Sequence, residues 1–412
     1  VLDIAPKDVV KKGRLQPGRM FLVDIEQGRI VDDVELKEGL AKAQPYGRWL
    51  KEHLLRLDEI APSPEGPGVR GPALGLLQRQ KMFGYTHEDL RLLMGPMAVR
   101  HEEPVGSMGT DTPLAVLSRK PQLLFNYFKQ LFAQVTNPPL DGIREELVTS
   151  LLSTLGPEGN LLDPRPESCR QVEIPSPVLT EDQMARIRNV ASAGFKSVTL
   201  PMIYEVADGV SGLERALVEL CEGASRAVAD GVDILILSDR GAGRNQAPIP
   251  SLLACAAVHH HLIRKGERTR AGLVIESGEP REIHHFCLLV GYGAGAVHPY
   301  LAFESLCALL SQGVLPPDLG SGKAEGHYAA ALNKGLLKTM SKMGISTVQS
   351  YRGAQIFEAI GLSREFVNRY FTWTVSRVEG MGLSDVAAES DARHAQAFPD
   401  RPSRDLDLDW GG

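Results

Sequence analysis

The chain has 412 residues, 43% of them apolar and 23% charged, with a formal net charge of −6. That length predicts two or three globular units, and the lack of a basic excess excludes nucleic acid as a partner on charge grounds. No apolar run approaches the ~20 residues needed to span a bilayer and no signal peptide opens the chain, so no membrane association is expected. The five cysteines (Cys169, Cys221, Cys255, Cys287, Cys307) are odd in number and far apart. That spacing predicts reduced thiols in a cytoplasmic protein, not disulfides or a metal cluster. A start at Val1 and an end at "DLDLDWGG" read as a piece of something longer.

In chain order, "PGRMFLVDIEQGRIVDD" predicts a β-hairpin around Gly28, with Met20–Asp24 pairing with Arg29–Asp32. A polar helix is expected from Leu36 to Leu57, then a proline- and glycine-rich linker, "APSPEGPGVRGP". Helical spacing dominates Leu74 to Met97. Pro121 to Val135 predicts an amphipathic helix with Leu124, Phe128, Leu131 and Val135 on one face, stopped by "TNPPLDG".

After "LLDPRPESC" the pattern becomes strand and helix in alternation. Thr180 and Gln183 have capping-box spacing ahead of the strand candidate "FKSVTLPMI", and Ser211 and Glu214 repeat that spacing before a helix over Leu213–Ala229. "VDILILSD" reads as a strand buried on both faces. A helix over "IPSLLACAAVHHHLIRKG", a strand at "AGLVIES" and a helix from Glu282 follow. Repeated βα units imply parallel strands with right-handed crossovers, in an open sheet or a barrel. The last third, Ala324 to Gly382, reads as mostly helical with a strand at "ISTVQSY".

Several stretches carry candidate chemistry. In "SDRGAGRNQAPIP" (238–250), Gly241 and Gly243 offer backbone N–H groups to a phosphate, with Arg240 or Arg244 adding charge; the alternative is a tight turn. His259, His260 and His261 lie ~100° apart around a helix, so they cannot share one metal without help from elsewhere, such as His284 and His285. "GYGAGAVHP" (291–299) reads as a glycine cradle or as a close-packed helix end feeding a strand. Lys334, Lys338 and Lys342 form one basic helical face. No nucleophile–base–acid set assembles by spacing.

Longer phrases carry a resemblance. "KMFGYTHEDLRLLMGPMA", "EPVGSMGTDTPLAVLS", "LFAQVTNPPLDGIREE", "GLVIESGEPREIHHFCLLVGYGAGAVHPYLAFE" and "NKGLLKTMSKMGISTVQSYRGAQIFEAIGL" resemble the large subunit of glutamate synthase, in family order. The opening hairpin stretch resembles the end of that family's amidotransferase domain, and the final "LDLDWGG" falls where its flavin-binding barrel begins. The resemblance implies an α/β fold: a central domain like an incomplete (β/α) barrel, with parallel strands and added helical segments. It divides the chain into residues 1–60 (amidotransferase end and connecting helix), 61–320 (central α/β domain) and 321–412 (helical part leading to an FMN-binding domain).

In the parent enzyme, the family implies glutamine hydrolysis at one end, ammonia passage through a tunnel, and reductive amination of 2-oxoglutarate at FMN, fed by a 3Fe-4S cluster. The fragment itself is expected to hold no cofactor and to be catalytically silent. Its partners would be the amidotransferase and FMN-binding domains of the same chain, with a small subunit or ferredoxin as electron donor, in the cytoplasm or a plastid. By the same resemblance Met108 and Thr136 line the tunnel, Met108 near the FMN, with Gly106, Ser107, Gly109 and Asn137 supporting the loops. A flexible thioether can seal a narrow apolar passage without offering a proton. The other reading of Met108 is as a core filler, and the rival function is an independent flavin- or phosphate-binding oxidoreductase using the 238–250 loop. Arg352 and Trp373 stand where the family pattern has cysteine and glycine.

Overall fold

A computed structural model of the chain describes residues 4–62, 74–104, 113–131, 139–399 and 407–411. The hairpin forms as expected: β1 (Leu22–Asp24) pairs antiparallel with β2 (Arg29–Val31), and Gly28 takes the left-handed turn position at φ 65°. The single polar helix expected over 36–57 is instead two, α1 (Asp33–Lys42) and α2 (Tyr46–His53). Pro45 lies between them and has no N–H to continue the ladder. β3 (Leu55–Arg56) follows; most of the linker candidate, 63–73, lies outside the described residues.

Helix α3 (Leu76–Met82) is followed by a π-helical turn at Asp89–Met94 that runs into α4 (Gly95–Arg100). Pro96, in the first turn of α4, cannot donate a helical N–H, which fits a widened turn just before it. Over residues 121–131, the described part of the amphipathic helix expected at Pro121–Val135, no α-helix forms. Leu124–Tyr127 is a 3₁₀ turn and Phe128–Gln130 is strand β4. Leu123, Leu124, Phe125, Tyr127 and Phe128 are all buried, more than one helical stripe can hide, and β4 finds a distant antiparallel partner in Phe357–Ala359. After α5 (Glu145–Val148), β5 (Ser153–Leu155) and β6 (Val172–Ile174) join β3 in a small sheet of order β3-β6-β5. Helix α6 (Glu181–Arg188) begins with the capping box read from the sequence: the Thr180 hydroxyl accepts from Gln183 N at 3.4 Å, and Gln183 Oε1 accepts from Thr180 N at 2.9 Å.

The main sheet contains β7 (Ser197–Pro201), β9 (Ile234–Ser238), β11 (Gly272–Glu276) and β12 (Ala296–His298), all parallel and side by side in chain order. Between them come β8 (Ile203–Glu205) and α7 (Gly209–Ala229), then β10 (Gln246–Pro248) and α8 (Ser251–Arg264), then α9 (Ile283–Gly291); α10 (Tyr300–Ser311) closes the series. β8 and β10 pair with each other as a flap on this frame. α7 starts at Gly209, before the expected Ser211 cap, so that serine lies inside the helix. Four consecutive βα units that do not close into a ring make the incomplete barrel-like α/β fold.

Both faces of this sheet are covered. Leu235, Leu237, Leu273, Ile275 and Val297 join the large core with the crossover helices, while Ile234, Ile236, Val274 and Ala296 pack on the other side with Leu155, Val172, Ile174, Met184 and Ile187. The small sheet and α6 therefore fill the concave side of the part-barrel.

The C-terminal third is less helical than its pattern predicts. After α11 (Ser321–Met343), the expected strand at "ISTVQSY" is a short helix, α12 (Val348–Tyr351). The Thr347 hydroxyl accepts from Ser350 N at 3.3 Å and so starts a turn where a strand was expected. The true strands are β13 (Phe357–Leu362) and β14 (Val375–Met381), separated by α13 (Arg364–Tyr370) and followed by α14 (Leu383–Ala397). β13 lies between β4 and β14 in a sheet built from distant segments. Among the described residues, no helix is long and apolar enough to cross a membrane.

Candidate functional site

In an open parallel sheet, ligands are met at the carboxyl ends of the strands. Here those ends deliver Ser238, Asp239 and Arg240 after β9, Glu276, Ser277 and Glu279 after β11, and His298 and Tyr300 after β12. All are buried except Arg240, whose side chain is only 9% exposed. Each polar group has its partner inside the protein. Glu276 accepts from Arg240 Nε at 2.6 Å and Ser238 Oγ at 2.8 Å, and pairs with Arg188 from α6. Burial pushes its carboxyl up, but Arg240 and then Arg188 outweigh that and leave it below the usual carboxylate range. His298 meets Leu179 O and Glu181 Oε2, each at 3.0 Å, and that bond to His298 is the main cause holding Glu181 down at about 2.

Asp239 accepts from Ser277 Oγ at 2.5 Å, Gly278 N at 3.0 Å and Tyr300 OH at 2.8 Å. Burial outweighs these donors and lifts its carboxyl to about 7. Glu279 accepts from both the backbone N and the hydroxyl of Ser251 at the start of α8, at 2.8 and 2.7 Å. Arg281, on the same segment, ties down the incoming chain through Asp89, Phe83 O and Gly84 O, with its guanidinium 4.4 Å from the Tyr85 ring centre. A Cβ on Gly278 would meet Phe83 at 2.6 Å, and beside Glu279 a cavity of only about 10 Å³ separates the cluster from the segment above it. The place where a barrel enzyme would hold substrate is filled by the protein's own side chains, with Arg188 Nη1 left without a partner among the described residues.

The 238–250 stretch forms the tight turn of the two readings. Gly243 N donates to Gln246 O at 2.8 Å and Gln246 N returns the bond to Gly243 O at 3.2 Å. Arg240 points inward, 4.1 Å from the Tyr300 ring centre, while Arg244 covers Phe398. The Gly243 N–H and the inward Arg240 are thus committed within the protein. "GYGAGAVHP" is likewise the close-packed helix end: a Cβ on Gly293 would fall 2.1 Å from His259 Nδ1, and one on Gly291 2.7 Å from Phe357.

The histidine run separates as predicted. His259 Nδ1 accepts from Arg268 Nε at 2.9 Å, and His261 Nε2 meets Ser225 Oγ at 3.0 Å. Among the described residues, no group of three or more His, Cys, Asp or Glu could hold a metal. Burial pushes the thiols of Cys255 to about 12 and of Cys287 and Cys221 to about 11. Without a cluster of donors, the described residues do not fit a 3Fe-4S cluster. Of the basic face, Lys334 pairs with Glu102 at 2.9 Å. Arg352 pairs with Glu158 at 3.2 Å, and Trp373 is exposed at φ 69°, a left-handed conformation that favours the glycine of the family pattern.

Met108 with Gly106, Ser107 and Gly109, and Thr136 with Asn137, lie outside the described residues. Their flanks are described. Glu103 feels the charges of Lys338 and Lys342 near the end of α11, and Pro139 would touch a Cβ on Gly344, the C-cap of that helix, at 3.1 Å. Leu131 N donates to Ile356 O at 2.7 Å beside β13, and Val116 packs on Gly361 within β13. The described residues flanking both stretches thus meet the end of α11 and β13. Sequence reasoning missed the strand-end network; a polar residue closing each apolar strand ("LSD", "IES", "VHP") was its signal.

Residues 78–363 match the glutamate synthase central domain family, and residues 1–49 match the class-II glutamine amidotransferases. The chain is 45% identical to the glutamate synthase [NADPH] large chain of Bacillus subtilis, over all of this chain and 26% of that protein. It is 44% identical to the ferredoxin-dependent glutamate synthase 2 of Synechocystis (97% of this chain, 26% of that one). With the glutamate synthase [NADH] of Schizosaccharomyces pombe the identity is 42% (99% and 20%). The chain thus spans about a quarter or less of the length of these relatives. With its central-domain match covering most of the described α/β frame, the chain belongs to the glutamate synthase central domain family.

Proposed function

We propose that this chain is the connecting segment of a glutamate synthase, an oxidoreductase that converts glutamine and 2-oxoglutarate to two glutamates. It guides ammonia between a glutaminase site before it and an FMN site after it. The FMN and the 3Fe-4S cluster belong to the neighbouring domains, as does the contact with an electron donor. Relatives named for NADPH, NADH and ferredoxin leave that donor open. A cytoplasmic or plastid setting completes this reading.

The observation that carries the proposal is the contrast between a strand-end cluster filled by its own side chains and the described flanks of 105–112 and 132–138, which meet α11 and β13. A segment whose would-be catalytic end is filled by its own side chains is suited to steering a molecule, not to transforming it. Met108 and Thr136 are assigned to the passage wall, a thioether and one hydroxyl that offer a small polar molecule little to hold. In the parent synthase, Met108→Ala or Thr136→Ala should release free ammonia while glutamine hydrolysis continues. Equal loss of both activities with no ammonia released would reject the passage role.

A further inference from the structure

Helix α14 reaches in two directions. Around its axis Glu389 and Arg393 fall about 40° apart on one side, while Asp391 and His394 fall on the other. The second pair holds the flap of β8 and β10: Tyr204 OH donates to Asp391 Oδ1 at 2.6 Å, and His394 Nε2 meets Gly243 O at 2.7 Å. The first pair holds residues 122–127.

Gln122 is gripped by its peptide groups. Its backbone N–H donates to Glu389 Oε1 at 3.1 Å, and its carbonyl accepts from Arg393 Nη1. The same Glu389 oxygen accepts from the buried Tyr127 OH at 2.8 Å. The Gln122 side chain extends the grip along the chain, donating to Ser118 Oγ at 3.1 Å and accepting from Asn126 Nδ2 at 2.9 Å. Arg393 is itself buried and fixed, with Ser390 Oγ at 3.3 Å and its stem against Gly84, where a Cβ would lie 3.1 Å from Arg393 Cδ. Residues 113–127 form neither strand nor α-helix, so side chains, not a backbone ladder, hold them in place.

In the chain, 113–131 is the link between the two stretches that carry Met108 and Thr136. Val116 near one end packs on Gly361, and Leu131 at the other bonds Ile356 O. The grip on Gln122 and Tyr127 fixes the middle. We propose that Glu389 is a positioning residue for the passage: by holding Gln122 and Tyr127 it sets the spacing of the stretches on either side, and so keeps ammonia inside. It touches no reacting atom, and no bond is made or broken. This rests on the proposed function and extends it to a helix 262 residues beyond Tyr127.

The test uses the parent synthase and reads free ammonia released per glutamine hydrolysed, a ratio that simple loss of folded enzyme does not change. Glu389→Ala removes both bonds to a charged acceptor and should raise release about tenfold. Glu389→Gln keeps an oxygen acceptor of the same reach and should stay near the parent value. Tyr127→Phe removes one bond with little change in volume and should raise release about threefold; it carries the test should Glu389→Ala fail to fold. Asp391→Ala frees the opposite side of the same helix and should destabilise the protein without raising release. Glu389→Ala releasing no more than Asp391→Ala, while Met108→Ala leaks, would overturn the positioning role and leave the passage standing. Glu389→Gln leaking as much as Glu389→Ala would overturn it as well. Retention in every variant, Met108→Ala included, would overturn both.

Discussion

Glu276 and Glu282 are six residues apart, and both carboxyls are held below the usual carboxylate range by very different surroundings. Glu276, fully buried, has two arginines and a serine around it. Glu282, partly open, pairs with His285 on its own helix at 2.8 Å. The first joins β9, β11 and α6 into one body; the second joins only neighbours in its own segment. A fully buried charge paired across three elements is structural, whereas a partly open one paired within its own helix holds less of the fold together.

The largest effect should separate these two acids directly. Glu276→Gln leaves two inward arginines short of a counter-charge and should lower unfolding stability by ~3–5 kcal/mol in urea titrations. A loss below ~1 kcal/mol would mean the cluster is wetter than drawn. Next comes pH. The Asp239 carboxyl moves from its ordinary 3.8 to about 7 on folding, so the native state holds an extra proton between those values. Its contribution is therefore full below pH 3.8 and falls as pH rises towards 7. Glu181 has the opposite sign: held at about 2, its contribution is present above its ordinary 4.5 and lost as pH falls towards 2. Asp239→Asn should flatten the decline on the higher-pH side, read as the difference in stability between variant and parent across the range; an unchanged slope would remove Asp239 as its source.

Smaller effects test the packing around the same frame. Gly293→Ala forces a Cβ onto His259 in a left-handed backbone and should cost ~2–4 kcal/mol, measured as a shift in denaturation midpoint. Trp373→Gly should stabilise by up to ~1 kcal/mol, because an exposed side chain in a left-handed conformation gives way to the residue that prefers it. The smallest change completes the contrast: Glu282→Gln should cost no more than ~1 kcal/mol, since its pairing with His285 is two-fifths open to solvent. A large destabilisation there would make Glu282 a structural acid like Glu276.

Much of the frame was legible in the sequence because its signals are local. The hairpin at Gly28, the Thr180–Gln183 box, the doubly buried "ILILS" and the helices after it depend on neighbours a few residues away. The failures share one cause. Phe128–Gln130 becomes a strand only because Phe357–Ala359 lies beside it, and no spacing within 121–135 can reveal a partner more than 200 residues distant. The strand-end network is similar: Glu276, Arg188 and Arg240 are unremarkable singly, and only parallel strands in chain order bring them together. The glycine stretches were ambiguous because a cradle and a close-packed turn have the same residues; Phe83, His259 and Phe357 pressing on them decide for packing.

The measurement closest to the central claim is isotope dilution in the parent synthase. Glutamine labelled with ¹⁵N at the amide is supplied with excess unlabelled ammonium, and the label is followed into glutamate. Passage through this chain predicts undiluted label in the parent enzyme and progressive dilution when Met108 is replaced by alanine. Label diluted to the solvent ratio in the unaltered enzyme would contradict the account, because the nitrogen would then travel through bulk water.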